Sequence, residues 1–145
     1  MYYLRDALEK DFDFLYNLNI STAKDYIAQT WGWDDEFQLK YFKTKFRSTN
    51  YKIISVDNKD IGALSLRQDG SKIFIKRIQI LPQFQHRGIG SEIISDVIKC
   101  AEENNAVVCT KVLKVNPAKK LYNKLGFSYI GETPTHYLMN TRFKI

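Results

Sequence analysis

Apolar residues change their spacing several times along the chain, and each change marks an element. Tyr2, Tyr3 and Leu4 read as a short first strand. Beyond them Phe12, Leu15, Tyr16, Asn19, Ile20, Ala23 and Ile27 recur at three- and four-residue steps, which predicts a helix from about residue 10 to about residue 29. Thr30, Trp31, Gly32 and Trp33 break that period. Asp34 can then cap a second helix, with Asp35 and Glu36 in its first turn and Phe37, Tyr41, Phe42 and Phe46 among its apolar positions. Ser48, Thr49 and Asn50 end it.

From Tyr51 the period becomes that of a strand. Residues 51–56 and 61–66, joined by Asp57, Asn58, Lys59 and Asp60, predict a hairpin. Asp69 and Gly70 mark a second turn, and residues 73–81 form a third strand of this meander. Its alternation is imperfect, which fits either burial on both faces or a bulge near residues 76–78. Ile89, Ile93, Ile94, Val97, Ile98 and Ala101 then share a helical face that ends at Asn104 and Asn105, and residues 107–113 form the next strand. Strand, crossover helix and strand make a βαβ unit, so the two strands should run parallel. Asn116 and Pro117 supply a cap and a first helical position for a helix carrying Ala118, Leu121, Tyr122 and Leu125, which Gly126 stops. Residues 127–130 and 136–139 read as closing strands.

Length and composition narrow the class. The 145 residues suit one domain, 1–145, with 44% hydrophobic and 26% charged residues, values that exclude disorder. A formal charge of +6 suits an anionic partner and equally a lysine-rich surface that has none. The basic residues are spread along the chain without a helix-turn-helix, zinc-finger or aromatic RNA-binding signature, so no nucleic-acid partner is expected. Cys100 and Cys109 lack metal-ligand spacing and read as reduced core residues, with no metal expected. The N-terminus has no apolar signal core, and nothing approaches a run of about eighteen apolar residues, so a cytoplasmic protein with no membrane partner is expected.

The candidate chemistry lies in the stretch Leu81-Pro82-Gln83-Phe84-Gln85-His86-Arg87-Gly88-Ile89-Gly90-Ser91-Glu92. A proline stops a strand, and a basic turn with two glycines opens a helix whose first N–H groups lack partners and attract anions. A dinucleotide fingerprint requires a third glycine where Ile93 stands. A P-loop requires Gly-Lys-Ser/Thr where Ile93, Ile94 and Ser95 stand. The pattern that fits is Gln85-x-x-Gly88-x-Gly90.

On these residues the chain resembles the GNAT superfamily of N-acetyltransferases. In that superfamily Q/R-x-x-G-x-G/A sits between the fourth strand and third helix and holds the pyrophosphate of acetyl-CoA. Ile78-x-Ile80-x-Pro82 resembles the strand ahead of the loop, and Asn116-x-Ala118 with Leu121-Tyr122-x-x-Leu125-Gly126-Phe127 resembles a second region of the family. The resemblance spans nearly the whole chain. It implies an α/β (α+β) GNAT fold: a mixed sheet of six to seven strands, an antiparallel N-terminal meander, a central parallel βαβ pair splayed around acetyl-CoA, and about four helices.

The same resemblance assigns roles. The amides of His86, Arg87, Gly88, Ile89, Gly90 and Ser91 would bind the pyrophosphate, with Gln85 and Arg87 contributing side chains or loop structure. The main chain of Ile78, Gln79 and Ile80 would pair with the pantetheine arm, and the Ile78 amide would donate to the thioester oxygen. Asn116 is a helix cap, a cofactor contact or both, and Lys119 is expected to reach the cofactor's phosphates. Tyr122 would protonate the departing thiolate; the competing reading is a packed core tyrosine. Members that use a glutamate early in the fourth strand have Phe74 at that place here, so the general base stays open among Glu36, Asp35, His136, Glu132 and a water chain. Glu36, with Trp31, Trp33, Asp34 and Asp35, is also a candidate for binding a cationic acceptor; an ordinary capped helix explains the same residues.

The resulting expectation is an N-acetyltransferase that moves acetyl from acetyl-CoA to the primary amine of a small molecule by direct attack in a ternary complex. Acetylation of a protein N-terminus or lysine is the nearest alternative, and a non-catalytic acetyl-CoA-binding module a further one. Tyr137 and Phe143 on the late strands would permit a homodimer.

Overall fold

The computed structural model describes residues 1–142. Its strands are β1 (Tyr3–Asp6), β2 (Lys52–Val56), β3 (Lys59–Asp69), β4 (Lys72–Ile80), β5 (Val107–Leu113), β6 (Phe127–Glu132) and β7 (His136–Thr141), and its helices are α1 (Phe12–Trp31), α2 (Asp35–Lys45), α3 (Ile89–Glu103) and α4 (Lys119–Lys124). The strands form one seven-stranded sheet in the order β1-β2-β3-β4-β5-β7-β6. β1 and β2 pair antiparallel, as do β2 and β3, whereas β4 and β5 are parallel, from Lys72↔Val107 to Ile75↔Thr110. This is the mixed α/β sheet expected from the hairpin and βαβ signals. Phe143, invoked above for a dimer, lies outside the described residues.

The chain divides into two compact units, residues 1–65 with 77–85 and residues 66–76 with 86 onward. In the first, the apolar faces of the two N-terminal helices form a core in which Leu15, Leu18, Phe42, Phe46, Ile53 and Ala63 are buried. Phe12 packs edge-on against Phe42 and Phe46, with ring centroids 5.4 and 5.2 Å away. Such aromatic pairs add about 0.5–1.5 kcal/mol beyond area burial. In the second unit Ile93, Ile94, Val108, Val112, Tyr122, Phe127 and Met139 are buried.

Turn chemistry sets the registers. Asp57 and Asn58 both take positive φ, 51° and 63°, the conformation a two-residue hairpin turn demands and one that Asp and Asn tolerate. Counted outward from the two-residue turn at Gly70 and Ser71, Ile61 would face Ile80. Its carbonyl instead accepts from the Leu81 N–H at 2.8 Å, so one extra residue has been taken up along β4. That extra residue accounts for the broken alternation, and it lets Ile75 and Ile80 both be buried five positions apart. The backbone of β4 also comes close to β3: a Cβ on Gly62 would stand 2.3 Å from the Gln79 carbonyl oxygen.

Several boundaries differ from the sequence reading. The first helix starts after a 3-10 turn at Glu9–Asp11 and runs on to Trp31, where Gly32 ends it at φ +83°. The second helix stops at Lys45, and Ser48–Asn50 is a separate 3-10 turn. The last helix becomes regular only at Lys119, after a turn through Pro117 and Ala118. Cys100 is exposed, one position off the apolar face of α3, while Cys109 is buried as expected. No helix among the described residues is long and apolar enough to cross a membrane.

Candidate active site

β4 ends at Ile80, and Pro82 begins a 3-10 turn over Pro82–Phe84. The Gln85 side chain reaches back, its Nε2 donating to the Ile80 carbonyl at 2.8 Å. Gln85 therefore fastens the turn to the end of its own strand. His86 and Gly88 then take left-handed conformations, φ +62° and +82°, which swing the chain into α3. Gly88 is the helix cap and offers no capping side chain, so the amides of Ile89, Gly90 and Ser91 meet no side-chain acceptor there. The first helical bond runs from Glu92 N–H to the Gly88 carbonyl, 3.0 Å. Residues 85–88 are exposed and 89–91 partly so. A fifteen-residue helix thus presents uncapped amides beside a basic turn, an arrangement suited to a diphosphate.

Tyr122 sits in the second unit, 7% exposed, its ring edge-on to Phe127 at 5.1 Å. Burial pushes its hydroxyl pKa up, and hydrogen bonding with Thr110 on β5 opposes this. The phenol is therefore protonated at neutral pH and able to donate. Asn116 Oδ1 accepts from the Ala118 N–H at 2.9 Å, which closes the turn leading into α4; the cap position of that helix is Ala118, so Asn116 is not its cap. Lys119 Nζ lies 4.1 Å from the Tyr137 ring centroid and 5.7 Å from that of Tyr129, so its charge rests on aromatic faces.

The acidic candidates are unequally committed. Asp34 Oδ1 caps α2 by accepting from Phe37 N–H at 2.9 Å. Asp35 accepts from Trp33 Nε1 at 2.7 Å and lies 4.0 Å from Lys24 Nζ, which itself stands 5.5 Å over the Trp33 ring. Glu36 is exposed in the first turn of α2. A shallow cavity of about 220 Å³ opens here, lined by Trp31, Gly32, Trp33, Asp34, Phe37 and Gln38. Glu132 is ion-paired with Lys114 and accepts from the Tyr129 hydroxyl; both hold its pKa below the usual carboxylate value, which makes it a poor base. His136 shares a 2.8 Å hydrogen bond with Thr135 through Nδ1, and burial, aided by the Lys111 charge, pushes its pKa down. A neutral imidazole at pH 7 can accept a proton.

The sequence reading missed a polar cluster in the first unit. Asn19, buried in α1, accepts through Oδ1 from both Arg77 at 2.9 Å and Gln79 Nε2 at 3.0 Å. The Arg77 guanidinium lies 5.7 Å over the Phe42 ring. The available signals were an asparagine at an otherwise apolar helical position and two polar residues of like parity in an apolar strand. Among the described residues no group of three or more His, Cys, Asp or Glu side chains could hold a metal ion.

Residues 47–129, more than half of the chain, match the family model of the acetyltransferase (GNAT) domain. The chain belongs to the GNAT acetyltransferase family. It is accordingly an acetyltransferase with acetyl-CoA as its donor. Its GNAT fold is shared with solved structures of low identity. The PaiA N-acetyltransferase from Thermoplasma acidophilum, in complex with coenzyme A, is similar with a TM-score of 0.79 and 16% identity, covering 99% of each chain. The ribosomal-protein-S18-alanine N-acetyltransferase from Escherichia coli gives 0.69 and 14%, covering 100% of this chain and 96% of that one. Ard1 from Thermoplasma volcanium gives 0.67 and 18%, covering 99% and 98%. No curated protein matches in sequence.

Proposed function

We propose that this GNAT protein transfers acetyl from acetyl-CoA to the primary amine of a small molecule, by direct attack in a ternary complex. The observation that carries the donor half is the turn at residues 85–90, where two left-handed residues leave the start of α3 exposed and uncapped. The amides of His86, Arg87, Gly88, Ile89, Gly90 and Ser91 bind the pyrophosphate. The main chain of Ile78, Gln79 and Ile80 holds the pantetheine arm, and the Ile78 amide donates to the thioester oxygen as charge develops there. Supporting this, the parallel pairing of β4 with β5 runs only to Ile75↔Thr110, whereas β4 continues to Ile80.

Tyr122 acts as the general acid on the leaving thiolate, for which a phenol kept protonated by burial is suited. Gln85 acts through loop structure, given its bond to Ile80, and Asn116 through the turn ahead of α4. Lys119 reaches the cofactor's phosphates only by leaving the Tyr137 face. Glu36, His136 and a water chain remain as proton acceptors. The small-amine reading is supported by the small cavity at Trp31 and Trp33. The protein-acetylating reading is supported by the similar alanine N-acetyltransferase of a ribosomal protein.

A panel of small amines and of peptides with free N-termini or lysines, monitored by thiol release from acetyl-CoA, separates the two. Turnover of free amines is the expected result. Acetylation confined to peptides would overturn the small-molecule assignment.

A further inference from the structure

The first unit carries two arginines of comparable burial with opposite surroundings. Arg5 is held by the carboxylates of Asp11 and Asp60, each at 2.9 Å. Among the described residues the partners of Arg77 are neutral, the Asn19 oxygen at 2.9 Å and the Phe42 ring. Among the described residues Arg77 makes no ion pair, unlike Arg5, Lys24, Lys52 and Lys114. A half-buried guanidinium without a counter-ion gives up hydration for partners that do not neutralise it. The fold nevertheless fixes this group firmly. Asn19 is buried, and its one oxygen takes donors from Arg77 and Gln79 together, so both side chains are held against α1.

Fixing a cation while withholding its anion is the arrangement of a binding site. One guanidinium nitrogen is committed to Asn19, and the rest of the planar fork retains donors suited to two carboxylate oxygens. Arg77 also directly precedes Ile78 in β4, so the side chain proposed to hold the anion is rooted beside the main chain assigned to the thioester.

We propose that Arg77, positioned by Asn19, binds a carboxylate of the acceptor, so that the acceptor is an amino-acid-like molecule carrying both an amine and a carboxylate. This assignment rests on the small-amine reading above. Gln79, fixed by the same asparagine, orients the site beside it. No step of acetyl transfer is altered: the carboxylate is held and the amine attacks.

Matched acceptor pairs test it: glycine with methylamine, L-phenylalanine with phenethylamine, and L-lysine with cadaverine, each followed by thiol release. The wild-type protein should favour the carboxylated member of at least one pair by about tenfold or more in kcat/KM. Arg77→Gln should collapse that ratio through KM of the carboxylated acceptor, and Arg77→Lys, which keeps the charge without the fork, should fall between. No preference in the wild type overturns the proposal. So does an equal loss on both members in Arg77→Gln, the signature of a purely structural clamp between Asn19 and Phe42. An NMR titration with N-acetylglycine and N-methylacetamide reads the site without turnover. N-acetylglycine alone should bind, and Arg77→Gln should abolish it. An enzyme silent on every small amine overturns the small-amine reading, and the titration then decides Arg77 by itself: equal binding of the two amides, or none, overturns the carboxylate assignment.

Discussion

Tyr122 combines burial, an apolar helix face and a hydroxyl whose pKa is raised. General acids contribute about 10²–10⁴-fold, so Tyr122→Phe should lower kcat by about a hundredfold or more while acetyl-CoA affinity holds in a calorimetric titration. His136 bears on the base. Its pKa is lowered below the ordinary 6.5, so the neutral form is favoured in the folded protein; that stabilising contribution is present above the unfolded value and is lost as pH falls through the folded one. If His136 is the base, the acid limb of the kcat/KM profile lies below pH 6.5 and His136→Gln removes it; a limb that this substitution leaves in place assigns the proton to Glu36 or water. The place of Tyr122 on the buried face of α4 was legible in the sequence because Leu121 and Leu125 share its helical spacing. Arg77 and Asn19 were not, because their bond spans 58 positions and no local rule pairs a helical asparagine with a distant strand.

At the scale of elements, two glycines make contrasting predictions. Gly88 has nothing within 4 Å of an added Cβ but sits at φ +82°. Gly88→Ala therefore costs about 1–2 kcal/mol in melting experiments through backbone strain alone, and it should weaken acetyl-CoA binding as the start of α3 reorients. Gly62→Ala meets the Gln79 carbonyl at 2.3 Å, so β3 and β4 must separate. The expected outcome there is a larger loss of stability, of about 3 kcal/mol or more. Strand β5 and the cap at Asp34 were readable because each depends on adjacent residues. The ends of the first two helices were not, since Trp31 stays helical until Gly32 turns, and the 3-10 turn at Ser48–Asn50 is polar like a helix end. The extra residue in β4 left a trace as broken alternation, but its effect on register needed the Leu81 to Ile61 bond.

At the scale of the whole molecule, acid sensitivity should centre on Asp11. This buried carboxylate takes both oxygens to Arg5, at 2.9 and 3.0 Å, and also accepts from the Leu8 N–H. Hydrogen bonding to Arg5 holds its pKa below the usual value, with burial opposing. The stabilisation is therefore present above the unfolded carboxylate pKa and is lost as pH falls through the lower folded one. Asp11→Asn should lower stability at pH 7 by about 1–3 kcal/mol and flatten the acid end of the stability curve. The parallel β4 and β5 pair followed from the βαβ pattern. The placement of β7 between β5 and β6 did not, because strand order is set by pairing across the sheet and not by any local period.

The roles proposed for the turn at residues 85–90 and for Tyr122 in acetyl transfer to a small amine are tested most directly by incubating the protein with acetyl-CoA and candidate amines and counting thiol released against acetylated amine by mass spectrometry. One acetylated amine per thiol is expected, at a rate that collapses in Tyr122→Phe while acetyl-CoA still binds. Thiol release without an acetylated amine, or acetyl found only on protein N-termini and lysines, would contradict those roles.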